Sequence, residues 1–206
     1  MNVLHLASWY PIAEKPNFGT FIRAHATAIA NSLEAEQDKH LLIAIVCRPE
    51  GVGQLKGKTI RHEQHGKLNV IVLEVRSHLW KLYQHWPNWF RLQAERLLKA
   101  NNPGFRPDLI HAHVAFPVGV VAQAMSRNWK VQFLISEHWS GAVRQSKQPI
   151  LGCLSRLAYQ QAGAITMVSA LLLDDLKNAG LIGLKKPESL VLIPNVLEGD
   201  FRYLSK

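Results

Sequence analysis

The chain is poor in cysteine. Cys47 and Cys153 are the two it has, far apart in its 206 residues. Neither belongs to a metal-like spacing, so a disulfide framework and a cysteine zinc site are both excluded. The pair reads as buried free thiols in a reducing compartment, and the chain is expected to be cytoplasmic. Long apolar runs are missing too: none approaches the roughly 18 residues of a membrane span. The opening MNVLHLASWY has no basic stretch ahead of an apolar one, so it is not expected to be a signal peptide. There are no internal repeats and no low-complexity segments. Acid is scarce, with 15 Asp and Glu against 24 Lys and Arg, giving a formal net charge of +9. Such an excess suits nucleic acid, an anionic membrane or a phosphorylated substrate, and charge alone does not choose among them.

A complete phosphate-binding loop is also lacking. Gly51 to Thr59, GVGQLKGKT, comes close to two motifs. A P-loop needs glycine where Val52 stands. A dinucleotide fingerprint needs its third glycine one residue before Gly57. Both require a helix directly afterwards, and IRHEQHGK has no apolar periodicity, so the stretch reads as a flexible loop. The first strand is likewise not followed by G-x-G-x-x-G, which argues against the alternative of a nicotinamide-dependent or other Rossmann-type enzyme. A basic nucleic-acid-binding module would rest on charge alone.

Hydrophobic residues make up 48% of the chain and charged ones 19%, ordinary for one large folded α/β domain. Val3 to Ser8 reads as a first strand and residues 9–19 as a loop. A helix follows from Thr20, with Ile22, Ala26, Ile29 and Leu33 on one apolar face. Leu41 to Cys47 is a continuous apolar run, hence a buried parallel strand. Residues 49–67 are polar and glycine-rich, a loop or hairpin excursion containing His62 and His65, both expected to be solvated. Leu68 to Val75 is a strand and Gln84 to Ala100 a helix. Residues 150–162 read as helix, Ala164 to Ser169 as strand, Ala170 to Asn178 as a helix ended by Gly180, and Leu190 to Ile193 as a last strand. Strands alternating with helices predict a Rossmann-like, doubly wound parallel sheet with helices on both faces. Residues 1–196 form that domain. Residues 197–206 read as the start of an interdomain linker, with a C-terminal domain absent from this chain.

The central stretch is Asp108 to Gly141. A strand through Leu109-Ile110 reaches His111 and His113. Pro117 then suits the first turn of a helix, and Val131 to Ser136 is a strand ending at Glu137-His138-Trp139. A right-handed βαβ unit brings both strand ends to one edge of the sheet, the edge where ligands bind in open α/β folds. His111 reads as a hydrogen-bonded strand histidine, whereas His113 and His138 stand at strand ends and read as functional. No second carboxylate accompanies Glu137, so no metal is expected. Residues 78–99 interleave Trp80, Tyr83, Trp86, Trp89 and Phe90 with Lys81, Arg91, Arg96 and Lys99. That pattern suits a membrane surface or an extended anionic ligand, or a helix on the sheet with snorkelling cations.

VLHLASWYP, FGTFIRAHA, PDLIHAHVAFPVG, SEHWSG and LIPNV, in this order and each at a strand or loop end, together resemble the N-terminal, acceptor-side domain of the family 4 glycosyltransferases of GT-B fold. The likeness covers nearly the whole chain. It implies transfer of a sugar, with retention and without a metal, from a nucleotide-sugar to a glycan or lipid-linked acceptor. The nucleotide-sugar is the donor substrate, and no cofactor is implied. By the resemblance Gly19 and Thr20 face the donor diphosphate, His113 reaches the transferred sugar as the catalytic group, and Glu137, His138 and Arg23 form the acceptor and active-site edge. Asn17-Phe18 precede a lone Gly19 where the family usually has paired glycines. The absent domain would hold the nucleotide, so this chain alone is expected not to turn over. An anionic surface at the inner membrane is a further candidate partner; nucleic acid is not.

Overall fold

The computed structural model describes residues 1–32, 37–50, 57–183 and 186–195. Leu33, most of the GVGQLKGKT stretch and the linker from 197 onward lie outside them. Among the described residues eight strands form one sheet: β1 (Asn2–Ala7), β2 (Lys39–Arg48), β3 (Gly57–His65), β4 (Leu68–Arg76), β5 (Leu109–His113), β6 (Gln132–Glu137), β7 (Ala164–Met167) and β8 (Leu190–Leu192). Their order is β3-β4-β2-β1-β5-β6-β7-β8, parallel throughout except for β3, which pairs antiparallel with β4. The helices are α1 (Thr20–Ser32), α2 (Trp80–Gln84), α3 (Pro87–Asn101), α4 (Val120–Trp129), α5 (Ala142–Ser146), α6 (Pro149–Gln161) and α7 (Ala170–Asn178). This is the doubly wound α/β architecture that strand–helix alternation predicts.

Side-chain alternation divides the strands between two faces. Leu4, Leu6, Ile43, Ile45, Ile110, Ala112 and Ile135 enter a large cluster with Phe90 and Leu97 of α3, Met125 of α4, Tyr159 of α6 and Leu176 of α7. On the other face Leu42, Ala44, Val46, Val70 and Val72 meet Ile22, Ala26 and Ala30 of α1. The register pairs His5 with Leu42 on one side and with His111 on the other. His5 and His111 therefore stand on the face that α1 covers, at the middle of the sheet.

Several boundaries differ from the sequence expectation. The polar excursion contains β3, an edge strand whose Ile60 is 50% exposed. It forms an antiparallel hairpin with β4, the second of the two forms the polar excursion allowed, and its outer residues lack apolar alternation because it is paired on one side only. The helix expected from Gln84 to Ala100 is α3, which starts three residues later because Pro87 opens it at the first turn, and a separate short helix, α2, precedes it. Pro117 lies not in α4 but in the single wide turn Ala115–Gly119 before it, after an extended Phe116 and a cis peptide bond. Both cysteines are free, but Cys153 is exposed on α6 and Cys47 is only partly buried. Among the described residues, no helix is long and apolar enough to cross a membrane.

Candidate functional site at the carboxyl edge of the sheet

The first wall is the loop from Ser8 into α1. Gly19 has φ +73°, and a Cβ there would lie 2.7 Å from the Trp9 carbonyl carbon and 2.8 Å from the Tyr10 nitrogen. Backbone cannot yield as a flexible side chain can, so the position requires glycine. The close approach sets where α1 starts: the Ile22 N–H donates to the Gly19 carbonyl at 3.0 Å. The Thr20 hydroxyl donates to the Asn17 carbonyl at 3.4 Å. The first amides of a helix lack intrahelical acceptors and carry the positive end of the dipole, which favours an anion. Arg23, half-buried one turn along, stands close enough to act electrostatically on Tyr10.

The second wall is made by the ends of β5 and β6. His113 is fully buried, and its Nδ1 lies 3.3 Å from Nε2 of His138. The other His138 nitrogen, Nδ1, lies 3.0 Å from Asn195 Oδ1. An amide oxygen only accepts, so His138 Nδ1 carries the proton and its Nε2 accepts from His113 Nδ1–H. That leaves Nε2 of His113 buried without a partner. The rings of Phe21 and His25 close on His138 at centroid distances of 5.0 and 5.6 Å, and Trp9 meets Trp139 edge-on at 5.6 Å. Burial pushes the His113 imidazole well below its ordinary pKa and brings His138 down to about 4. Both are neutral at pH 7.

Val114, directly after His113, has φ +80°. A β-branched residue in that region is strained, and such strain persists only where neighbours over-determine it. Here the Val114 N–H donates to the Ser136 carbonyl at 2.8 Å, and the next N–H, of Ala115, donates to Glu137 Oε2 at 2.9 Å. Glu137 is fully buried and accepts three more bonds: from the His138 and Trp139 amides at 3.1 and 3.0 Å, and from the Tyr159 hydroxyl at 2.6 Å. Burial raises its carboxyl above the usual range, and the four donors pull the other way.

The structure thus brings His113 and His138 into contact and sets the start of α1, with Gly19, Thr20 and Arg23, beside them through Phe21. It places Glu137 behind them, with Oε1 occupied by the amides of the loop that carries His138 and Oε2 by the Ala115 amide and the Tyr159 hydroxyl. His111 is bonded through Nε2 to Ser136 Oγ at 2.7 Å, as a strand histidine. Three further histidines join this floor and were not singled out in the sequence. His5 lies beside His111 by strand register, and its imidazole is lowered by burial to about 3. His40 is 3.3 Å from His5. His25 falls on the buried face of α1 with Ile22 and Ala26, a spacing that signals its direction. Asn195 was missed as well.

A cavity of about 360 Å³ opens at the carboxyl ends of β1 and β2, between Trp9, Phe18, Arg48 and Trp80. A larger one, about 600 Å³, lies at the opposite edge near Pro103, Arg106 and Trp129, remote from the histidines. The stretch 78–99 divides: Phe90 and Leu97 are core, Arg91 bonds Glu95 at 2.8 Å, and Leu82 and Trp86 are about half exposed, at 53% and 48%.

A mostly parallel sheet with a glycine-led helix and paired histidines at its carboxyl edge is a Rossmann-like arrangement with its candidate site at the strand ends. Residues 22–195 match the family described as glycosyl transferase 4-like domain. The chain belongs to that family, and its fold is that of the N-terminal domain of a GT-B glycosyltransferase. Among solved structures it is similar to Anabaena HepE in complex with UDP, with TM-score 0.52 and 16% identity over 95% of this chain and 44% of that one. It is also similar to a UDP-forming α,α-trehalose-phosphate synthase from Burkholderia xenovorans in complex with glucose-6-phosphate, at 0.52 and 10% over 94% and 50%. A UDP-N-acetylglucosamine 2-epimerase matches at 0.52 and 11% over 95% and 48%. These likenesses concern the fold, which hosts more than one chemistry. The chain spans about half the length of these solved chains. No curated protein matches it in sequence.

Proposed function

We propose that this chain is the acceptor-side domain of a retaining, metal-independent glycosyltransferase. It would move a sugar from a nucleotide-sugar to a glycan or a lipid-linked acceptor. The family match over residues 22–195 carries the reading. In it, residues 1–196 are one half of the enzyme, and a second domain following the linker at 197–206 supplies most of the nucleotide site. The amides at Gly19 and Thr20 meet the donor diphosphate, which the helix dipole supports. His113 acts on the transferred sugar, held by its bond to His138. His138 and Arg23 edge the acceptor, and Glu137 is a positioning residue that fixes the His138–Trp139 backbone. The cavity between Trp9 and Trp80 takes part of the acceptor. Exposed Leu82 and Trp86 beside Lys81 support contact with an anionic bilayer at the cytoplasmic face, where tryptophan settles among headgroups and lysine adds attraction. No cofactor is needed beyond the donor.

The test uses the full-length protein, assayed with a panel of nucleotide-sugars on lipid-linked acceptor in anionic vesicles and on soluble glycans. His113→Ala should lower kcat and kcat/KM together by about 100-fold or more, as loss of a group felt in the transition state does. The circular dichroism spectrum should stay unchanged. The present chain, titrated alone with the same nucleotide-sugars, should bind weakly or not at all. Wild-type kinetics in a folded His113→Ala enzyme would return His113 to a structural role. Failure of the wild type to transfer any sugar would sink the whole reading.

A further inference from the structure

Behind the crevice, on the face under α1, His5, His111 and His113 each offer a ring nitrogen, and these nitrogens lie within 4.8 Å of one another. Their exposures are 0, 3 and 0%. The ring centroids are 5.1, 5.7 and 4.3 Å apart. Three imidazoles bound at the usual ~2.0–2.1 Å to one tetrahedral ion have centroids about 5 Å apart. The hydrogen bonds divide each ring in the same way. His5 uses Nε2 toward His40, His111 uses Nε2 toward Ser136, and His113 uses Nδ1 toward His138. Two of the opposite nitrogens, His5 Nδ1 and His113 Nε2, are buried with no partner. The third is Nδ1 of His111. Ligand histidines show this pattern: one nitrogen on the metal, the other N–H donated to an outer acceptor that fixes tautomer and ring angle. Two of the three outer acceptors are themselves anchored, Ser136 to Thr166 at 2.6 Å and His138 to Asn195.

We infer that His5 Nδ1, His111 Nδ1 and His113 Nε2 form a binding site for one transition-metal ion of the zinc, copper or nickel class. Three imidazoles without a carboxylate select such ions over magnesium and calcium, which take oxygen ligands. The fourth position falls to water, hydroxide or another small ligand. A second group, His25, His113 and His138, shares His113 and meets the same 4.8 Å limit. It lies between the crevice and the buried group and gives an ion its way in. The site does not rest on the transferase reading. An ion there sits beneath the crevice, ties β1 to β5 and takes the last open nitrogen of His113, whose other nitrogen is bonded to His138, so transfer through His113 belongs to the metal-free state.

The experiment uses this chain, stripped with a chelator and titrated with Zn²⁺ by calorimetry and with Co²⁺ by visible absorption. One ion per chain is expected, with Co²⁺ giving the intense bands of a four-coordinate nitrogen site and no thiolate charge transfer. His5→Gln and His111→Gln should each abolish stoichiometric binding. Ser136→Ala should weaken it by about 10–100-fold, the usual cost of losing an outer partner. His62→Ala, exposed on β3, should leave it unchanged. If the ligand variants do not fold, imidazole NMR of the wild type decides. Zinc-dependent shifts at His5, His111 and His113 support the site, and shifts confined to His62 and His78 overturn it. Absence of saturable binding by the wild type, or binding that survives both folded ligand variants, also overturns it.

Discussion

The two faces of the sheet are built on opposite principles. One is thick and apolar: α3, α4, α6 and α7 lie over it, and the strand residues facing them are Leu, Ile, Val, Ala, Phe and Met. The other has α1 over β1, β2 and β4, and a polar column toward the sheet centre made of His5, His111, His113, Ser136 and Thr166. Buried polar groups are costly unless bonded, and here, among the described residues, four ring nitrogens are buried without partners. Stability and chemistry are thus separated by the thickness of one sheet. The thick face supplies the folding free energy that lets the thin face keep groups a core would not tolerate.

The largest break in this comparison is expected on the thick face. Phe90 is 1% exposed, at the contact of α3 with the sheet. Phe90→Ala should cost about 3–5 kcal/mol of stability, through lost transfer energy and the cavity left behind. Urea denaturation measures it. A loss below about 1 kcal/mol would mean that this face is not the seat of stability. The next effect concerns the bond that crosses from one region to the other. Tyr159 of α6 reaches Glu137 at 2.6 Å, and Glu137 in turn holds the loop bearing His138. Tyr159→Phe removes only the hydroxyl. If the carboxyl is ionised, the loss should be about 1.5–3 kcal/mol, as for a hydrogen bond to a charge. A neutral outcome would mean that the three backbone amides suffice and the two regions are not coupled through this bond.

How much of this was legible in sequence follows the same division. The buried strands β2 and β4 announce themselves because strands covered on both sides must be apolar at nearly every position. The helix α7 is readable to the residue, from Ala170 to Asn178, because Ser169 caps it by accepting from the Leu172 N–H and Gly180 adopts φ +65°. β3 stays open between loop and hairpin in the sequence because an edge strand with one partly buried, polar face prints no apolar alternation. His113 and His138 were readable because a βαβ unit brings its strand ends together whatever the rest of the fold does. His5 and His40 were not, since they become neighbours of each other and of His111 only through strand register, which a single sequence does not print. Asn195 was hidden by distance, 57 residues from the histidine it orients.

The smallest effect sharpens the comparison at the outer rim of the thin face, where the edge strand is held by charge. Glu63 of β3 accepts from Arg61 Nε at 2.7 Å, from the Tyr10 hydroxyl at 2.8 Å and from His65 at 3.0 Å. Burial by itself would raise its carboxyl, but the bonds from Arg61, His65 and Tyr10 outweigh that and hold it at about 2. The unfolded value is about 4.3. A folded pKa below the unfolded one means that the contribution is fully present above about pH 4.3 and is lost as pH falls toward 2. Glu63 is partly exposed, so solvent screens the network and the contribution is modest. Other carboxylates protonate over the same range, so the readout is the difference in unfolding free energy between wild type and Glu63→Gln. That difference should hold steady from pH 7 to about 5 and then shrink toward zero near pH 2. A gap that stays constant across the range would show that Glu63 contributes by shape and neutral hydrogen bonding, and that the rim of the thin face is built like the thick one.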